Sequence, residues 1–162
     1  MKLDSRESNS WEWKPMTELS QFFTDLVRAE TRLYNAVDAR LREQHGLALG
    51  QYELLQIISG RKDCRVLDIV RTVGITVGAA SKAVDRLEGA GWCRRRVNEQ
   101  DRRSSLLTVT PAGARLLARA RPTFEQELAE RLAGVASERA LDQTARVLAT
   151  LRAALERHQL AE

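Results

Sequence analysis

The stretch DIVRTVGITVGAASKAVDRLEGAGWCRRRVNEQDRRSSLLTVTPAG, residues 68–113, decides the fold of this chain. It opens inside a short helical segment, VLDIVRTV, whose apolar positions are Leu67, Ile69, Val70 and Val73. Gly74-Ile75-Thr76 makes a tight turn, and Thr76 is placed to cap a helix running through TVGAASKAVDRLEGAG. Within it Ala80, Ala83, Val84 and Leu87 fall at i, i+3, i+4 and i+7, while Ser81, Lys82, Asp85 and Arg86 face away. Two short helices joined by a Gly-containing turn are a helix-turn-helix pattern. After Gly91, WCRRRV reads as a strand, NEQDRRS as a hairpin loop and SLLTVT as a second strand. Thr110-Pro111 then starts a new helix, with Thr as cap and Pro at its first position.

Working outward, the N-terminal side carries a polar arm over 1–16 that holds Trp11 and Trp13. Thr17 is the expected cap of a long helix over 17–45, with apolar positions at threes and fours from Leu19 to Leu41 and Gly46 as its terminator. A helix of about 28 residues is roughly 42 Å long, more than one small domain needs to cover itself, and so points to a partner. A short helix, LGQYELLQIISG, follows, with Tyr52, Leu55 and Ile58 inward, and RKDC connects it to residue 66. On the C-terminal side the helix from Pro111 carries Leu116, Leu117, Ala120 and Phe124, with Pro122 a candidate kink. Ser137 caps a last helix striped by Leu141, Ala145, Leu148, Leu151 and Leu155. The expected fold class is mainly α with a small β-hairpin wing. A winged helix-turn-helix domain at 46–110 is flanked by helical dimerisation regions at 17–45 and 111–162.

Composition narrows the function. At 162 residues, 43% hydrophobic and 30% charged, the chain fits one globular domain and is too apolar for a disordered one. No apolar run reaches the roughly 20 residues of a bilayer span. The polar start, without an apolar core, gives no sign of secretion. Cys64 and Cys93 then read most simply as reduced thiols in the cytoplasm. The net charge of +4 is unevenly spread. Residues 61–110 hold eleven basic against six acidic side chains, whereas residues 1–60 hold seven against nine. A basic centre between near-neutral arms suggests one part of the fold that meets a polyanion.

That centre is the helix-turn-helix and hairpin. A recognition helix fits the DNA major groove, and here its outward residues are few and small. Ser81 can bond a base or phosphate, and Lys82 and Arg86 suit phosphates or guanine edges. Gly78, at a helix cost of ~1 kcal/mol, is tolerable if it lets the backbone approach DNA closely. The bland alternative is a solvated helix face with an incidental glycine. Arg94, Arg95 and Arg96 cluster on the first strand, and Arg102 and Arg103 sit in the loop. Arginines at a hairpin tip can enter the narrow minor groove. Asp101 beside them makes sense as a local partner that fixes arginine geometry.

From Gly46 to Leu117 the chain resembles the winged-helix domain of the MarR family of bacterial transcriptional regulators. The segments that carry this are QYELL, DIVRTVGIT, KAVDRLEGAGW and above all DRRSSLLTVTPAG. The helical flanks match the family's layout as well. The resemblance implies a homodimer with interdigitating terminal helices on a pseudo-palindromic double-stranded DNA operator. It puts recognition-helix contacts on Thr76, Gly78, Ser81 and Lys82, wing contacts on Asp101 and Arg103, and a repressor as the expected role. Arg86, Arg96 and Arg102 complete the expected DNA set on grounds of charge. Two departures stand out. Ala48 and Arg65 replace the usual capping Ser or Thr, and Gly78-Ala79 leaves the helix tip poor in base-reading side chains.

The resemblance also implies a cleft for a small aromatic or anionic effector between the terminal helices and the winged helix. Trp11, Trp13, Phe23, Glu30 and Tyr34 are candidates to line it, against the plainer reading of core or dimer-interface residues. Cys64 and Cys93 fall at usually apolar positions and read as buried fillers. Arg65 and Arg94 beside them keep a redox-sensing alternative open. His45 and His158 lack metal-ligand spacing, no catalytic constellation appears, and neither an enzyme nor a cofactor is expected. A winged-helix dimer for protein contact is the other alternative, and it does not need the five arginines.

Overall fold

A computed structural model describes residues 16–99, 101 and 104–159, with side chains from 18 to 157. Trp11, Trp13, Arg102 and Arg103 lie outside the described residues. The order is α1 (Met16–His45), α2 (Leu49–Ser59), α3 (Val66–Val73), α4 (Val77–Gly89), β1 (Cys93–Val97), β2 (Ser105–Val109), α5 (Pro111–Leu132) and α6 (Glu138–Gln159). α1 already contains Met16, so Thr17 lies inside the helix and not at its cap. α1 stops at Gly46, whose φ of +63° suits a residue without Cβ.

Neither α2 nor α3 has a capping side chain in the usual place, and the caps come from elsewhere. Gln51 Oε1 accepts the Ala48 amide at 3.0 Å, and Asp38 of α1 accepts the Leu49 amide at 2.8 Å. For α3, Asp68 Oδ2 accepts the Arg65 amide at 2.8 Å. The orphan amides of a helix start need an acceptor, and its position in sequence is secondary. α4 is capped as expected, with Thr76 Oγ1 accepting from Ala79 at 3.2 Å. α5 is capped by Thr110, which accepts from Gly113 at 3.1 Å, and the helix runs on through Pro122. Ser137 Oγ accepts from Ala140 at 3.3 Å at the start of α6.

β1 and β2 pair antiparallel, with Cys93 opposite Val109 and Val97 opposite Ser105. The connector before α3 does more than connect. Cys64 bridges to Leu107, whose amide donates to the Cys64 carbonyl at 2.7 Å, and so ties the middle of β2 to the segment before α3. The core gathers Val37 and Leu41 of α1, Tyr52, Leu55 and Ile58 of α2, Ile69 of α3, and Ala80, Val84 and Leu87 of α4. Cys93, Leu107, Leu116, Leu117 and Ala120 close it. Tyr52 stacks on Phe124 with ring centroids 4.9 Å apart. The outer half of α1 and nearly all of α6 stay out of this core. Phe23 is 66% exposed and Leu155 56%, with Leu19, Phe22, Val27, Leu148 and Leu151 exposed beside them.

Candidate nucleic-acid interface

The tip of α4 stands clear of the body of the protein. Thr76, Val77, Gly78, Ala79, Lys82 and Arg86 are exposed and Ser81 is half-buried, while Ala80, Val84 and Leu87 anchor the opposite face. Apart from its chain neighbours and the backbone of its own helix, nothing described lies within 4 Å of where a Cβ on Gly78 would sit, so no packing contact demands glycine there.

The hairpin sorts the arginines by strand alternation. Cys93 and Arg95 share one face, and Arg94 and Arg96 the other. Cys93 goes into the core. Arg95 turns toward α4, where its guanidinium pairs with Glu88 and, at 2.7 Å, with Asp85. Arg94 and Arg96 are exposed, and Arg96 Nε donates to Thr108 Oγ1 at 3.0 Å. The foot of the loop is braced by Asn98, a buried residue whose Nδ2 donates to Ser104 Oγ at 2.9 Å. Ser104 Oγ donates in turn to the Asp101 carbonyl at 3.2 Å. Reading the sequence by charge picked out the arginines and missed Asn98, Asp85 and Glu88. The one available signal was an Asn at the first loop position, a residue type that closes turns.

Between α1 and the helix-turn-helix lies a cleft of about 590 Å³, lined by Tyr34, Asp38 and Arg42 of α1 and by Glu53, Ile75 and Arg86 among others. Of the three expected effector residues that the structure describes, Phe23, Glu30 and Tyr34, Tyr34 lines it and the other two do not. Phe23 stands on the exposed outer half of α1. Glu30 is exposed on α1; burial, with the Glu30 charge adding to it, raises the Glu53 carboxyl above its ordinary value. Burial and the neighbouring Glu53 and Asp38 charges also raise the Tyr34 hydroxyl. Asp38 and Arg42 pair at 2.6 Å.

Both thiols are in the core, Cys64 fully buried and Cys93 2% exposed. Burial and Asp68 push Cys64 up, and burial and Glu88 push Cys93 up to about 11. The nearby cations are Arg61 and Arg95, not the expected Arg65 and Arg94, and burial outweighs them. His45 is the last residue of α1. It bonds Thr123 Oγ1 at 2.8 Å and ties α1 to α5. Among the described residues no three His, Cys, Asp or Glu side chains gather as a metal site requires. No described helix is long and apolar enough to cross a membrane.

The sequence model of the MarR family matches residues 47–105, the segment that builds α2, α3, α4 and most of the wing. Over that segment the chain matches the MarR family, and its fold is that of the MarR family winged-helix transcriptional regulators. The chain is 23% identical over 111 residues to the HTH-type transcriptional regulator BilQ of Clostridium symbiosum, covering 68% of this chain and 75% of that one. Among solved structures, Sco3205 of Streptomyces coelicolor, a MarR family regulator in complex with DNA, aligns with a TM-score of 0.78 at 22% identity, over 88% of this chain and 94% of that one. The transcriptional repressor CouR, bound to a 23-mer DNA duplex, aligns with a TM-score of 0.75 at 28% identity, over 86% and 99%.

Proposed function

We propose that the chain is a homodimeric repressor that binds a pseudo-palindromic operator and leaves it when a small effector enters the α1 cleft. The observation that carries the DNA part is the free tip of α4 beside a hairpin with outward arginines. Thr76, Gly78, Ser81, Lys82 and Arg86 meet the major groove, and Arg96, Asp101, Arg102 and Arg103 serve the wing in the minor groove. CouR and Sco3205, which share this fold, were solved on DNA, which supports the same partner here. The exposed apolar faces of α1 and α6 support a second copy as the cover of both. An effector in the cleft would touch α1 and, through Arg86, α4. It would thereby bias the spacing of the two recognition helices.

The test uses a duplex selected by the protein from a random-sequence pool and follows affinity against salt. Binding should weaken steeply as salt rises. Arg103→Ala should weaken it by about 1–3 kcal/mol. Sedimentation should give a dimer at micromolar concentration. If no duplex is enriched even at low salt, the operator reading falls. A monomer would remove the dimer.

A further inference from the structure

Arg95 belongs by sequence to the arginine cluster of the wing, yet its charge faces inward. Its guanidinium reaches two acids of α4, Glu88 through one nitrogen and Asp85 through another at 2.7 Å. Its backbone amide donates to Glu88 Oε1 at 2.9 Å. Asp85 and Glu88 are three apart on α4 and share a face. The rigid fork of a guanidinium serves both at once, which a single ammonium cannot do. The amide and guanidinium of Arg95 hold the Glu88 carboxyl below its usual range. Two carboxylates on one cation leave the spot net negative, so it offers a phosphate nothing.

We infer that Arg95 is a positioning residue that locks the wing to the recognition helix, so that helix tip and hairpin tip meet DNA as one rigid unit. A two-stranded hairpin is marginal alone; this one is held at its base by Cys93 in the core and on β2, directly across from Arg95, by the Cys64–Leu107 bridge, which leaves the fastening of β1 to α4 at that level to Arg95. Arg95 is the last β1 side chain fastened to α4. Val97, the next on that face, is 76% exposed. Beyond Arg95 the strand runs two more residues to Val97, about 7 Å at ~3.3 Å per residue, so a swing of roughly 10° there moves the strand end by roughly 1 Å and whatever it carries by more. That displacement is enough to miss a groove contact fixed by the position of α4. Arg94 and Arg96, on the opposite face, lack this tether.

The inference rests on the wing reading DNA, and Arg103→Ala alone tests that premise. With the selected duplex, Arg95→Met should weaken binding about tenfold while the salt slope stays unchanged, since a lost phosphate contact would lower it by ~0.9. Arg95→Lys should be as weak as Arg95→Met. Glu88→Gln should show the same pattern even if Arg95→Met folds poorly. In an Arg103→Ala background Arg95→Met should add little, because the contact it positions is already gone. A role in stability alone would lower the melting temperature yet leave the Arg95→Met and Arg103→Ala losses additive. Wild-type binding by Arg95→Lys, a slope lowered by about one in Arg95→Met, or full additivity with Arg103→Ala would each overturn the inference.

Discussion

Gly113 shows how much one missing methyl can decide. A Cβ there would lie 2.1 Å from the Trp92 carbonyl oxygen and 3.0 Å from Val109. That same carbonyl accepts the Thr110 amide at 3.0 Å, so it cannot retreat freely. The start of α5 therefore packs backbone to backbone against the entry to β1. Gly113→Ala should destabilise the protein by about 1–3 kcal/mol, the range for overpacking a well-packed site, read as a lower urea midpoint with an unchanged m-value. Cys93 gives a second residue-level test. With its pKa raised to about 11, roughly one thiol in 10⁴ is ionised at pH 7. Iodoacetamide should leave both cysteines unlabelled in the native protein and label both in urea. Rapid native labelling would revive the redox alternative.

At the scale of elements, α4 combines a well-anchored inner face with an outer face that gives up stability. Gly78 sits in open space within the helix, where alanine would be about 1 kcal/mol better. Gly78→Ala should raise the melting temperature by a few degrees. If the glycine serves close approach to DNA, the same change should weaken duplex binding. Tighter or equal binding would make it an incidental residue. The starts of α2 and α3 were less legible. Ala48 and Arg65 are poor caps, and sequence alone marks both as weak helix starts. For α3 the replacement is local, since Asp68 stands three positions on. For α2 part of the cap comes from Asp38, eleven residues away in another helix, which no local pattern announces.

Across the whole molecule, the long flanking helices are joined by a buried charge. Glu127 of α5, 4% exposed, accepts from Arg40 of α1 at 3.2 Å and from Arg131 at 2.8 Å. Hydrogen bonding and charge from Arg131, reinforced by Arg40, hold its carboxyl below the ordinary range against the opposing effect of burial. A lowered folded pKa means that this contribution is complete above the unfolded value of about 4.3 and is lost as pH falls through the folded one. Stability measured by denaturant midpoint should therefore drop on acidification below about pH 4.5. Glu127→Gln should lower stability at pH 7 by about 1–2 kcal/mol and flatten that acid limb. An unchanged limb would mean that the Arg40–Glu127 tie between α1 and α5 carries no weight.

Sequence by itself determined the helix-turn-helix, the hairpin and its loop, and the caps at Thr76, Thr110 and Ser137. Each of these is written in neighbours a few residues apart, where periodicity and turn chemistry act. It also placed the positive charge on the middle third. Tertiary structure alone decided which of those charges face outward. The alternation along β1 and the two acids of α4 turn Arg95 inward and leave Arg94 and Arg96 outside. It likewise set Cys64 against Leu107, drew Asp38 to the start of α2, and left Phe23 outside the cleft that Tyr34 lines. These depend on which elements pack together, and local sequence carries no term for that.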